Sequence, residues 1–143
     1  MGSWSTSPGL SHVGAYQTSG KPYASGSINC KIDEVPLTDC EVSFPYVTRW
    51  FKVINKDASN DCKVAFSISG LTGSNNFFTV GKADENADIP GLAANSGILE
   101  LKVSSIYLSG STNVDVVAGL TNILPDKTST TQGKNWSGSS GVG

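Results

Sequence analysis

Phe44-Pro45-Tyr46-Val47-Thr48-Arg49-Trp50-Phe51-Lys52-Val53-Ile54 is the densest run of β-branched and aromatic residues in the chain. Pro45 gives it a sharp start, because proline donates no ladder hydrogen bond. Alternate side chains of an extended chain point to opposite faces. Val47, Arg49, Phe51 and Val53 then share one face, and Tyr46, Thr48, Trp50, Lys52 and Ile54 share the other. Large apolar groups on both faces read as a central strand covered on each side. The stems of Arg49 and Lys52 run along that surface and keep their charges wet.

Working outward, residues 39–44 alternate and bury Cys40, Val42 and Phe44. Residues 28–32 read as the first strand, with Ile28, Cys30 and Ile32 on one face. Downstream, 56–61 is polar and turn-forming, and 62–69 alternates with Cys62, Val64, Phe66 and Ile68 inward. Residues 55–62 therefore read as a hairpin connection. A short strand follows at 76–80, then an irregular stretch at 81–97. Residues 98–105 alternate with Leu99, Leu101 and Val103 inward, and 114–123 form the last strand before Pro125. No segment carries the apolar spacing of an amphipathic helix over three turns. Roughly seven to eight short strands with regular turn signals predict an all-β fold, an antiparallel β-sandwich. The long crossing at 81–97 predicts Greek-key or jelly-roll winding.

Three regions result: an extended N-terminal arm at 1–26, the sandwich at 27–125, and a flexible Ser/Thr/Gly-rich tail at 126–143. Glycines punctuate the arm, yet Trp4, Leu10, Val13, Tyr16 and Tyr23 are spaced along it. A plain linker lacks such anchors. They mark a segment that orders on a surface, here a neighbouring subunit, with its own domain as the alternative. Trp136 is the tail's large apolar group, either incidental or a single docking point, and is the tail's candidate protein-interaction residue.

The chain has 143 residues and a formal charge of -2. That length is one ordinary domain, and the absence of a basic stripe disfavours nucleic acid. Charged residues make up 15%, below the usual roughly 25%, and Ser, Thr, Asn and Gly replace them. Such a surface suits interaction modules and shell proteins. Cys30, Cys40 and Cys62 cannot all pair within one chain. They read as free thiols buried as small hydrophobes, with a single Cys30–Cys40 bridge as the alternative. Residues 1–8 have neither the basic start nor the apolar run of a secretory signal, and Met1-Gly2 with Thr6 matches a myristoylation pattern only superficially. No stretch approaches the roughly 20 apolar residues that span a bilayer. The expectation is a soluble protein made in a reducing compartment.

Chemistry is sparse. His12 lies in the arm, a poor scaffold for a catalytic pair. Scattered cysteines and one histidine make no zinc set, and no cofactor is expected. Asp84, Glu85, Asn86 and Asp88 lack the spacing of a calcium loop and read as a solvated acidic turn. Nothing selects a catalytic pair among Glu34, Asp39, Glu41, Glu100 and Asp115. Residues 70–73 lack the lysine and helix of a phosphate cradle. The Asn135-Trp136-Ser137 sequon is read as chance without a secretory signal. The expectation is a protein that is not an enzyme. Tyr46, Trp50 and Tyr107 are candidates for stacking on sugar rings, which keeps open a glycan-binding sandwich or adhesin on a virion or cell surface.

Residues 44–123 resemble small structural proteins of virus particles, especially decoration (cement) and related minor capsid proteins of tailed phages. The features that carry this are the Phe44–Val53 entry, the 62–69 strand, the 99–103 strand and the 114–120 strand, with Pro8-Gly9-Leu10-Ser11-His12-Val13-Gly14-Ala15-Tyr16-Gln17 in the arm. The resemblance implies a single jelly roll on a capsid surface, made in the host cytoplasm. Its implied partners are the major capsid protein and copies of itself, often as a homotrimer. The arm then reaches onto the shell or a neighbouring copy.

Overall fold

The computed structural model of the chain describes residues 20–31, 40–72, 75–83, 94–130, 133–136 and 140–142. Eight strands carry the body: β1 (Lys21–Ile28), β2 (Glu41–Ser43), β3 (Thr48–Asn55), β4 (Cys62–Ala65), β5 (Phe77–Val80), β6 (Ala94–Asn95), β7 (Ser105–Ser109) and β8 (Val114–Leu120). They form two four-stranded sheets, in the orders β1-β8-β3-β6 and β2-β7-β4-β5. All pairs are antiparallel, and the pairing is nested. β1 lies on β8, β2 on β7, β3 on β6 and β4 on β5. The chain is thus one long antiparallel ribbon folded over itself, closed by β3 on β8 and β4 on β7. This is an all-β sandwich, as the alternating runs predict.

The core follows from two-residue alternation. Val114, Val116, Ala118 and Leu120 of β8 face Ile106 and Leu108 of β7, Cys62 and Val64 of β4 and Phe51 and Val53 of β3 in one buried cluster. The rings of Tyr23, Phe44, Phe51, Phe66 and Phe78 run through it in a file, with centroids 5.2, 6.4, 6.4 and 6.5 Å apart. Each fully buried ring contributes roughly 2–3 kcal/mol through lost apolar surface alone.

β3 departs from the expected pattern. Phe51, Val53 and Asn55 are buried, whereas Trp50, Lys52 and Ile54 on the outer face are only partly covered. The register shifts between Thr48 and Trp50. That bulge turns Thr48 inward, where it is fully buried.

Several connections also differ from the sequence reading. Residues 21–26, assigned to the arm, belong to β1 and pair with β8 from Lys21↔Leu120 to Ser25↔Val116. Pro22 and Gly26 are tolerated because β1 is an edge strand. The body therefore begins well before residue 27, and 29–31 lie beyond that strand. The 56–61 segment is no hairpin, because β3 and β4 stand in different sheets. The expected strand at 62–69 stops at Ala65, and α1 (Ile68–Thr72) follows. The Ser67 hydroxyl oxygen accepts the Gly70 amide at 3.0 Å and caps that turn. The chain does cross between sheets from β5 to β6.

Residues 98–104 are not a regular strand. They follow the outer edge of β3 through paired Phe51 and Leu99 backbone bonds of 2.8 and 2.9 Å and a Thr48 amide to Val103 carbonyl bond of 2.9 Å. Gly97, at φ 72, re-aims the chain just upstream. Val103 is buried, but Leu101 is 40% exposed, against the expected inward position.

Candidate functional site

The tail builds one flank of the molecule. After β8 come a 3-10 turn (Pro125–Thr128) and a small ribbon, β9 (Ser129–Thr130) on β10 (Gly133–Lys134). The Asn135 amide donates to the Thr128 carbonyl at 2.6 Å. This delivers Trp136 to the body, where its indole Nε1 donates to the Phe66 carbonyl at 2.9 Å. The Ser67 hydroxyl donates to the Val142 carbonyl at 2.8 Å. The described parts of the expected flexible tail are therefore bonded to the sandwich.

Between the tail and the β3 edge lies a trough of about 370 Å³, lined by Phe66, Leu101, Val103, Trp136 and Val142 among others. Its floor is held firmly. The Thr48 hydroxyl donates to the Leu101 carbonyl at 2.6 Å, and its oxygen accepts the Val103 amide at 3.2 Å. Earlier in the same segment Ile98 is 64% exposed. Sequence reasoning missed Ile98 and Leu101, because alternation alone put Leu101 in the core.

The residues expected to contact partners are distributed differently. Trp136 packs on its own domain against the core cluster. Tyr23 does likewise from β1, its ring edge-on to Phe44 at 5.2 Å. Trp4, Leu10, Val13 and Tyr16 lie outside the described residues, as do His12, Glu34, Asp39, Asp84, Glu85, Asn86 and Asp88.

The described carboxylates engage local partners. Asp115 meets Lys56 Nζ at 3.0 Å and accepts the Ser27 amide at 2.9 Å. Burial raises its pKa, but those two donors outweigh it and the carboxyl ends below the usual range. Glu100 stands 3.9 Å from Arg49. Glu41 accepts the Tyr107 hydroxyl at 3.2 Å, and burial together with that carboxylate pushes the phenol up. Tyr46 and Trp50 belong to the β3 side, with Lys21 Nζ 4.9 Å from the Tyr46 ring centroid. Tyr107 is on β7 of the other sheet, so these aromatics do not converge on one face.

One end of the sandwich is a polar knot. Asn55 is fully buried; its amide donates to the Asn60 and Gly81 carbonyls at 2.9 and 3.1 Å, and its oxygen accepts the Ser111 hydroxyl at 2.8 Å. Asp57 accepts the Ser59 amide at 2.8 Å, the Asn60 side-chain amide at 2.9 Å and both the amide and hydroxyl of Thr112. Asn60 first, then Thr112 and Ser59, hold that carboxyl well below the usual range against the opposing effect of burial. A carboxylate with its lone pairs spent on amides is a structural brace.

Cys30, Cys40 and Cys62 are free thiols, all buried in agreement with the reading of their sequence. Among the described residues no group of three His, Cys, Asp or Glu is placed to hold a metal ion. No described helix is long and apolar enough to cross a membrane. No family model matches the chain, and no curated protein or solved structure matches it either.

Proposed function

We propose that the chain is a structural protein of a virus particle, a capsid decoration or minor capsid protein that stabilises a shell through protein contacts. The observation that carries this is the nested pairing of β1 with β8, β2 with β7, β3 with β6 and β4 with β5. A jelly roll is wound in that order, and jelly rolls recur in viral capsid and lectin domains. Fold alone does not assign function, so the surface must decide between them. Trp50 stands on one sheet and Tyr107 on the other, which favours protein contact over a sugar platform.

The flank of Ile98 and Leu101 is the contact surface, and its occupant is the segment 1–19 of a neighbouring copy. That segment carries Trp4, Leu10, Val13 and Tyr16. Gly20 donates to the Leu120 carbonyl at 2.9 Å, and Leu120 pairs with both Lys21 and Thr48. With Leu101 bonded to Thr48, Gly20 lies about 15 Å from the trough, three strand spacings away. Fully extended it spans roughly 60 Å, enough to cross to a second copy. Many such weak contacts on a lattice add to firm attachment.

Sedimentation velocity at micromolar concentration tests this reading. The chain is expected as an oligomer, a trimer above all, and Leu101→Glu as a monomer with an unchanged fold. A wild-type monomer at every concentration contradicts it. A wild-type monomer whose stability falls on Leu101→Glu assigns the trough to the chain's own segment instead.

A further inference from the structure

The three thiols meet at one place, the end of β7. Cys30 is fixed there by its backbone, donating its amide to the Ser111 carbonyl and accepting the Gly110 amide, both at 2.8 Å. Cys62 arrives from β4, one residue beyond the Lys63↔Ser109 pair, which sets it opposite Gly110. Cys40 arrives from the residue before β2, one step beyond the Glu41↔Tyr107 pair and so opposite Leu108. All three are at most 1% exposed. Cys30 and Cys62 thus both abut Gly110, and Cys40 stands two residues further along β7; all three belong to one buried cluster. Two thiols brought to one backbone position are placed for a disulfide, and a third beside them limits the outcome to one bond.

We propose that Cys30, Cys40 and Cys62 form an oxidisable site in which Cys30 joins Cys62 and Cys40 stays a thiol, the oxidant being a small-molecule disulfide such as glutathione disulfide. The proposal is independent of the shell assignment. The Cys30 thiolate attacks one sulfur of the oxidant, forms a mixed disulfide and expels the first small thiolate. The Cys62 thiolate, its proton lost to water, then attacks the Cys30 sulfur and expels the second. Two protein thiols lose two electrons and two protons, and the oxidant becomes two thiols. The neighbouring Cys62 thiol holds Cys30 below the usual thiol range, whereas the same neighbour and burial push Cys62 up. Because the site is dry, reaction proceeds through local opening and is slow in the folded protein. A disulfide across these strands restricts the unfolded chain and raises stability.

Peptide mapping tests the pairing. Lys31, Arg49, Lys56 and Lys63 place the three cysteines on separate tryptic peptides. The full chain is incubated folded, and refolded from urea, in a glutathione disulfide buffer; free thiols are then alkylated before digestion. The expected product has lost two hydrogens, links the Cys30 and Cys62 peptides, carries alkylated Cys40, and unfolds at a higher urea midpoint than the reduced chain. Cys40→Ala forms the same link. Overturning results are three alkylated cysteines in both samples, crosslinks only between chains, a dominant Cys30–Cys40 link, or a Cys40–Cys62 link of equal yield in Cys30→Ala.

Discussion

Asp57 and Thr112, on different crossings of the sandwich, are joined twice. Asp57 Oδ2 accepts the Thr112 amide at 3.0 Å and its hydroxyl at 2.7 Å. This ties the β3–β4 crossing to the β7–β8 turn, alongside the backbone bond from the Lys56 amide to the Asn113 carbonyl at 2.9 Å. Asn55 reinforces the tie by accepting the Ser111 hydroxyl at 2.8 Å.

Asp57→Ala removes the acceptor of several partly buried donors at once and is expected to cost about 3 kcal/mol. The carboxyl is depressed in the folded state, so its contribution is fully present above the unfolded carboxylate pKa of about 4 and drains away as pH falls below it. Urea unfolding at neutral and acid pH checks both points. The wild type should lose more stability on acidification than Asp57→Ala does; equal losses would remove Asp57 from the acid response.

Gly70→Ala probes the seat of the C-terminal segment. A methyl there would lie 2.7 Å from the Val142 carbonyl and 2.8 Å from that of Asn76. Both obstacles are backbone, so strain of roughly 1–3 kcal/mol is expected. A limited-proteolysis assay should show faster cleavage near residues 140–142. Unchanged stability and cleavage would mean that the tail is held elsewhere.

Trp136→Phe keeps an apolar ring and deletes the indole bond to Phe66, for an expected loss of about 1 kcal/mol. Trp136→Ala also removes the packing, and because the ring is only partly buried the loss should reach about 2–3 kcal/mol. Thermal or urea unfolding of the two variants separates bond from contact. No loss in either would make the tail incidental to the fold.

Phe51→Ala should cost about 3–5 kcal/mol, because the ring is fully buried between Phe44 and Phe66. Phe66, half-buried at the trough, should cost visibly less. Equal costs would place the trough wall inside the core.

The strands that were legible in the sequence are those whose inward face is apolar at every second residue, such as Val114–Leu120 and Cys62–Ala65. β1 was hidden because an edge strand can carry Pro22 and Gly26 and still pair by backbone alone. The inter-sheet crossing at 56–61 looks like a hairpin because its Asn and Asp residues serve tight turns and buried braces equally well. The flank was illegible for another reason. Leu101 alternates as a core residue, and only the bends around it, with Thr48 gripping its carbonyl, turn the side chain outward. For Trp136 the sequence left open whether the ring is incidental or docks, because one aromatic in a Ser/Thr/Gly-rich tail carries no pattern that names the surface it meets.

The central claim is that this sandwich works as a shell component. Electron cryomicroscopy of particles from the chain's native source tests it most directly. A shell component should appear there as eight-stranded density on the outside of the shell, with Ile98 and Leu101 against a neighbouring protein. Particles that lack the chain, while it remains a free monomer in the soluble fraction, would contradict it.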